Sequence, residues 1–140
     1  MSFREKIHWV ALFGLIVAFG WYFLAYPWTI ANTQQGVWTA VGMLIPVTII
    51  FLVPMIAGTV FFAIRTPKEA NLKEDEREKT IHLRGTHMAY YPLVLGVWAN
   101  IFFLINGIGF GYSVNILIAT LVVSEVIRVG SQLYFYRKGA

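Results

Sequence analysis

The sequence predicts an all-α fold, a four-transmembrane-helix bundle with both termini cytoplasmic. Three observations point to it. Of the 140 residues, 58% are apolar and 13% are charged, about half the charge share of a soluble domain. The charges are segregated: from Ile7 to Ile64 only His8 is ionisable apart from tyrosine, and from Met88 to Tyr136 the only acidic or basic residues are Glu125 and Arg128. Each of these tracts is long enough to cross a hydrocarbon core of about 30 Å twice. Such a composition excludes a soluble enzyme, a nucleic-acid-binding domain and a secreted disulfide scaffold. The net charge of +4 suits the anionic cytoplasmic leaflet better than nucleic acid. With no cysteine there is no thiolate nucleophile and no thiolate metal site.

The first span covers residues 7–26, roughly 30 Å of helix. Arg4 and Lys6 precede it, as in a signal peptide, but the apolar run is too long for one and no small-residue cleavage site follows, so it reads as retained. Pro27 ends it, because proline cannot donate to the helical ladder. Residues 27–36 form a polar, uncharged turn. The second span, 37–64, is longer than the core requires and must tilt, bend or project, with Pro46 and Pro54 as bending points. Residues 65–87 form a hydrophilic loop holding eleven of the 18 acidic and basic residues. Within it Glu69–Lys73 and Asp75–Lys79 are favourable helical pairs, and a helix starts near Glu74 and runs into the third span, 88–105. The turn 106–113 (NGIGFGYS) leads to the fourth span, 114–136, closed by Arg137 and Lys138.

Orientation follows from lysine and arginine. The N-terminal tail has two, the central loop six and the C-terminal tail two, while the opposite turns have none. Trp9, Tyr90, Tyr91, Tyr134 and Tyr136 fit an inner aromatic belt; Tyr26, Trp28, Trp38 and Tyr112 fit an outer one. Trp98 falls at mid-span and is expected to pack between helices. Ala11, Gly14, Ala18 and Ala25 give span one a small-residue face for close approach, and Asn100 suits an interhelical hydrogen bond.

The sharpest chemistry lies on span four. At 100° per residue, Thr120, Ser124, Glu125, Arg128, Ser131 and Gln132 occupy an arc about 140° wide. Ionisable groups at membrane depth are costly and usually face protein or water, so this arc is expected to face the bundle interior. Glu125 and Arg128 read either as a neutralised pair that fixes the bundle or as a proton- or ligand-binding carboxylate with its counter-ion. His8, His82 and His87 sit at the cytoplasmic boundary, too shallow for haem and without helical i,i+4 spacing. No nucleophile, phosphate-loop or zinc motif is present, and no metal or other cofactor is expected. In the loop, Lys73, Asp75, Glu76, Arg77, Glu78 and Arg84 form a candidate interaction segment for a cytoplasmic protein.

Asp75-Glu76-Arg77-Glu78, followed by Ile81, Arg84 and Ala89-Tyr90, resembles a pattern in small four-span bacterial inner-membrane proteins grouped under domains of unknown function. The ending Tyr134-Phe135-Tyr136-Arg137-Lys138-Gly139 is similar to their aromatic-then-basic tail. The resemblance covers the central loop through the C-terminus. It implies a multi-pass protein of the bacterial inner (cytoplasmic) membrane and suggests a membrane partner for a small transcriptional regulator. It implies no enzyme activity.

Together these features predict a non-enzymatic integral membrane module acting as sensor, regulator or accessory subunit through its charged loop. Its expected partners are the lipid bilayer, a second copy or larger membrane complex, and a cytoplasmic regulator protein, with no direct nucleic-acid binding. The alternative is a small dimeric proton-coupled transporter using Glu125. The topology is testable by cysteine accessibility: single cysteines within residues 32–35 should react with an impermeant reagent only from the non-cytoplasmic side, and labelling from the cytoplasm would refute the orientation.

Overall fold

The computed structural model describes residues 2–70 and 76–138, which are helical throughout apart from short turns and contain no strand. Four helices are long and apolar enough to span a bilayer. Helix α1 (Phe3–Ala25) starts where Ser2 caps it, its Oγ accepting from the Glu5 N–H at 3.2 Å; a capping hydroxyl satisfies one of the donors that the first turn leaves open. It ends at Tyr26, whose extended backbone (ψ 132°) is what a residue before proline must adopt. A single 3₁₀ turn, Trp28–Ile30, leads to Thr33, which caps α2 (Gln34–Arg65) by accepting from the Gly36 N–H at 3.1 Å.

Helix α2 is 32 residues long, roughly 48 Å, and therefore exceeds one hydrocarbon thickness. Pro46 and Pro54 lie inside it without interrupting it. A short helix α3 (Pro67–Ala70) follows. Helix α4 (Glu76–Ile105) runs unbroken from the charged loop through the third span, with Pro92 inside, and α5 (Phe110–Lys138) completes the chain. The expected helix start near Glu74 and the expected loop pairs of Glu69–Lys73 and Asp75–Lys79 involve residues outside the described ones. Gly107 makes the α4–α5 turn with φ +88°, a conformation costly for any residue with a Cβ.

The two hairpins, α1–α2 and α4–α5, each pack closely, and α5 also lies against α1 and α2. It is the central helix and holds the most buried residues of the four. On one side, Val129 and Leu133 bury against Leu15 of α1. On another, the seam with α4 is narrow. A Cβ on Gly85 would overlap the Gln132 side chain, and one on Gly96 would overlap Thr120. At the uncharged end the first turn interlocks with the start of α5: a Cβ on Gly111 would overlap the Ala31 carbonyl oxygen, while the buried Tyr26 hydroxyl donates to the Gly36 carbonyl at 2.8 Å.

Two packing expectations need correction. Trp98 does not pack between helices; it is 66% exposed. The inward face of α4 is Gly85, Ala89 and Asn100, with Gly96 against Thr120, and a residue two positions from both Gly96 and Asn100 points about 200° away from that face. In α1, Gly14 and Ala18 are buried as the small-residue face requires, but Ala25 is exposed, one residue before the chain leaves the helix. Backbone approach at the uncharged end is directly testable. Gly111→Ala should lower unfolding stability by about 1–3 kcal/mol, the usual cost of forcing volume into a close-packed contact. Gly42→Ala, where a Cβ meets nothing within 4 Å, should raise it by about 0.5–1 kcal/mol. Thermal unfolding in detergent, followed by tryptophan fluorescence, reads both.

Candidate functional site

The polar arc of α5 divides in the structure. Thr120, Ser124 and Gln132 are buried and Ser131 is partly buried. Glu125 and Arg128 pair with each other: Arg128 Nε and Nη2 donate to Glu125 Oε2 at 3.0 and 2.7 Å. That pair was expected to face inward. It lies instead at the margin of the buried sector, the carboxylate side chain 46% and the guanidinium side chain 36% exposed. The seam that glycines make narrow admits hydroxyls and an amide but not two long charged side chains.

The buried polar groups mostly find partners close by. Thr120 Oγ1 donates to the Ile116 carbonyl at 2.8 Å within its own helix. Ser113 Oγ donates to Asn100 Oδ1 at 3.1 Å, the interhelical bond expected of Asn100. On the α1 side the Tyr22 hydroxyl donates to Asn115 Oδ1 at 2.5 Å, and Asn115 Nδ2 donates to the Gly111 carbonyl at 2.7 Å. Ser124 Oγ is buried without a hydrogen-bond partner among the described residues.

Toward the charged end, Gln132 joins three helices. It is almost fully buried. Its Oε1 lies 2.8 Å from His8 Nε2 on α1, and its Nε2 donates to the His82 carbonyl of α4 at 3.4 Å. His8 Nδ1 donates to the Arg4 carbonyl at 2.7 Å. The His8 ring stands 5.4 Å from the rings of both His82 and Tyr136. A cavity of about 270 Å³ adjoins this junction, lined by Phe3, Arg4, Ile7, His8, Thr59 and His82. Ion pairs surround it: Arg4 Nε to Glu78 Oε2 at 3.1 Å and Arg137 Nε to Glu5 Oε1 at 3.6 Å. Arg77 Nη2 donates to the Tyr136 carbonyl at 2.9 Å. The start of α1, the start of α4 and the end of α5 therefore meet at one end of the bundle.

The sequence placed His8 at the boundary but did not foresee its link to Gln132. His8 meets His82, whereas His87 stands apart, 3.3 Å from the Tyr91 hydroxyl on the exposed side of α4. Among the described residues no three His, Cys, Asp or Glu side chains are grouped as metal ligands.

The remaining candidates lie on the first turns of α4. Glu76, Lys79, Leu83, Arg84 and His87 are exposed, while Ile81 and Gly85 are buried; Glu78 turns toward Arg4 and Arg77 toward α5. Lys73 and Asp75 lie outside the described residues. Leu83, Arg84, His87, Met88 and Phe135 line a groove of about 640 Å³, where the Arg84 guanidinium sits 5.6 Å over the Phe135 ring.

No protein-family model, curated protein or solved structure matches the chain.

The junction should be worth more than the ion pairs around it. Gln132→Leu leaves the His8 Nε2 and the His82 carbonyl without this amide and should cost about 1–3 kcal/mol. Arg137→Gln removes a pair whose arginine is 62% exposed and should cost at most about 1 kcal/mol. Thermal unfolding of the two variants in the same detergent decides; equal losses would contradict the ranking.

Proposed function

We propose that the chain is a non-enzymatic membrane module, a sensor, regulator or accessory subunit, that docks a cytoplasmic protein on the outward face of α4 between Glu76 and His87. The observation that carries this reading is the stripe of Glu76, Lys79, Leu83 and His87. It repeats at helical spacing on the side of α4 turned away from the bundle, and Leu83 is 72% exposed. A charged surface with an apolar centre suits protein recognition: charge steers the encounter and the apolar group supplies the buried contact. The adjoining groove, with Arg84 over Phe135, extends the surface onto α5.

The concentration of lysine and arginine at this end supports a cytoplasmic location for it. The resemblance of the loop and tail to small four-span proteins supports the bacterial inner membrane and a regulator as the partner. A proton-coupled transporter built on Glu125 is less well supported, because the carboxylate already accepts two hydrogen bonds from Arg128.

Site-specific photocrosslinking tests the docking face. A photoreactive residue at Leu83 should give one discrete heavier adduct in cells, and the charge reversals Glu76→Lys with Lys79→Glu should weaken it about tenfold. The same probe at Val60, on an exposed face of α2, should give none. No adduct at Leu83, or the same adduct at both positions, would refute the proposal.

A further inference from the structure

We propose that the Glu125–Arg128 pair is the centre of an interface between two copies of this chain. The pair lies within the apolar segment of α5, Glu125 roughly 13 Å and Arg128 roughly 9 Å along the helix from Tyr134. Its groups are only half satisfied. Both Arg128 bonds end on Glu125 Oε2, which leaves Glu125 Oε1 and Arg128 Nη1 without a partner among the described residues. Both side chains are more than one-third exposed. In hydrocarbon such groups need a polar complement, because no water is present to supply one.

A second copy supplies that complement with both signs. Arg128 folds back toward Glu125, so the carboxylate and guanidinium lie at one depth. A copy inserted in the same orientation and related by a two-fold axis along the membrane normal presents the same two groups at the same depth. Each Arg128 then reaches the partner's free carboxylate oxygen, giving a closed ring of four alternating charges. An isologous contact of this kind requires a self-complementary patch, and a neutral Glu–Arg pair is one. The surrounding surface suits it: Leu121 and Leu117, one and two turns away on the same strip of α5, are 58% and 40% exposed. An anionic headgroup would match only the arginine and would be repelled by the carboxylate.

The chain has no cysteine, so Leu121→Cys introduces a unique thiol. In native membranes an oxidant should convert this variant to a disulfide-linked dimer. Val53→Cys, exposed on α2, should not cross-link. Charge reversal by Glu125→Arg or by Arg128→Glu, each in the Leu121→Cys background, should lower the cross-linked fraction about tenfold. Co-expression of the two reversed chains should restore it, because each then meets its opposite, a rescue in trans that a purely intrachain pair would not give. If the reversals fail to insert, the neutral Glu125→Leu/Arg128→Leu chain decides, since it should insert and, with no polar group left to pair across the two-fold axis, lose the cross-link. Absence of a Leu121→Cys dimer, as expected if lipid or an unrelated protein covers the strip, overturns the proposal. So do equal cross-linking at Val53, retention of the cross-link in the neutral chain, and failure of inserted reversed chains to rescue one another.

Discussion

Lipid tails are as apolar as the side chains they touch, so no hydrophobic force draws membrane helices together; close backbone approach and interhelical hydrogen bonds must do so. In this chain that constraint is met along the seam between α4 and α5. Gly85 admits the Gln132 side chain and Gly96 admits Thr120, with Ala89 buried between them. Once the helices approach this closely, Asn100 reaches Ser113 at one end of the seam and the His82 carbonyl comes within reach of Gln132 at the other. The junction with His8 depends on the same approach, because Gln132 can bridge to α1 only while α4 holds its amide nitrogen.

The central place of α5 explains why it carries more polar residues than a lipid-facing helix tolerates. It has neighbours on two sides, and each side uses different chemistry. Against α1 it sets Val129 and Leu133 on Leu15, with one buried tyrosine–asparagine bond toward the far end. Against α4 it sets hydroxyls and an amide. Unlike them, the guanidinium and carboxylate are too long for the narrow seam and turn to its margin, where each is the other's nearest partner. A helix with two protein faces has only a narrow strip left over, and the ion pair occupies part of it.

The four spans, the single charged end and the interhelical role of Asn100 were legible in the sequence because each depends on one residue or one run: hydropathy, the placement of lysine and arginine, a lone amide in an apolar helix. Features that depend on the distance between two runs were not. Nothing in the periodicity of α5 says that Gln132 rather than Arg128 sits deepest, since both belong to the same polar arc; the choice is made by the Gly85 opposite. A signal was available in α4, where Gly85, Ala89, Gly96 and Asn100 recur at spacings of four and seven residues on one face. Reading that face as the seam would have turned Trp98 outward. It would also have paired the small residues of α4 with the larger side chains of α5. The link from His8 to Gln132 joins residues far apart in the chain and had no counterpart in local pattern.

The two ends of the bundle are closed by different physics. At the uncharged end backbone packs on backbone, Gly111 against the Ala31 carbonyl and Gly36 against the Ile30 carbonyl, and the buried Tyr26 hydroxyl bonds the Gly36 carbonyl. Such contacts tolerate no displacement and do not respond to ionic strength. At the other end the helices are joined by long side chains, through Arg4–Glu78, Arg137–Glu5 and the His8–Gln132 bridge. Partly exposed ion pairs contribute little each and weaken as salt rises. The helix that carries the proposed docking face thus enters the bundle at its more yielding end, while its far end is held by the Asn100–Ser113 bond and the tight turn at Gly107. Near the yielding end α4 is held to the bundle by Gly85, which packs against the Gln132 side chain and the Arg128 carbonyl, and by the Gln132 amide that bridges α4 to α1.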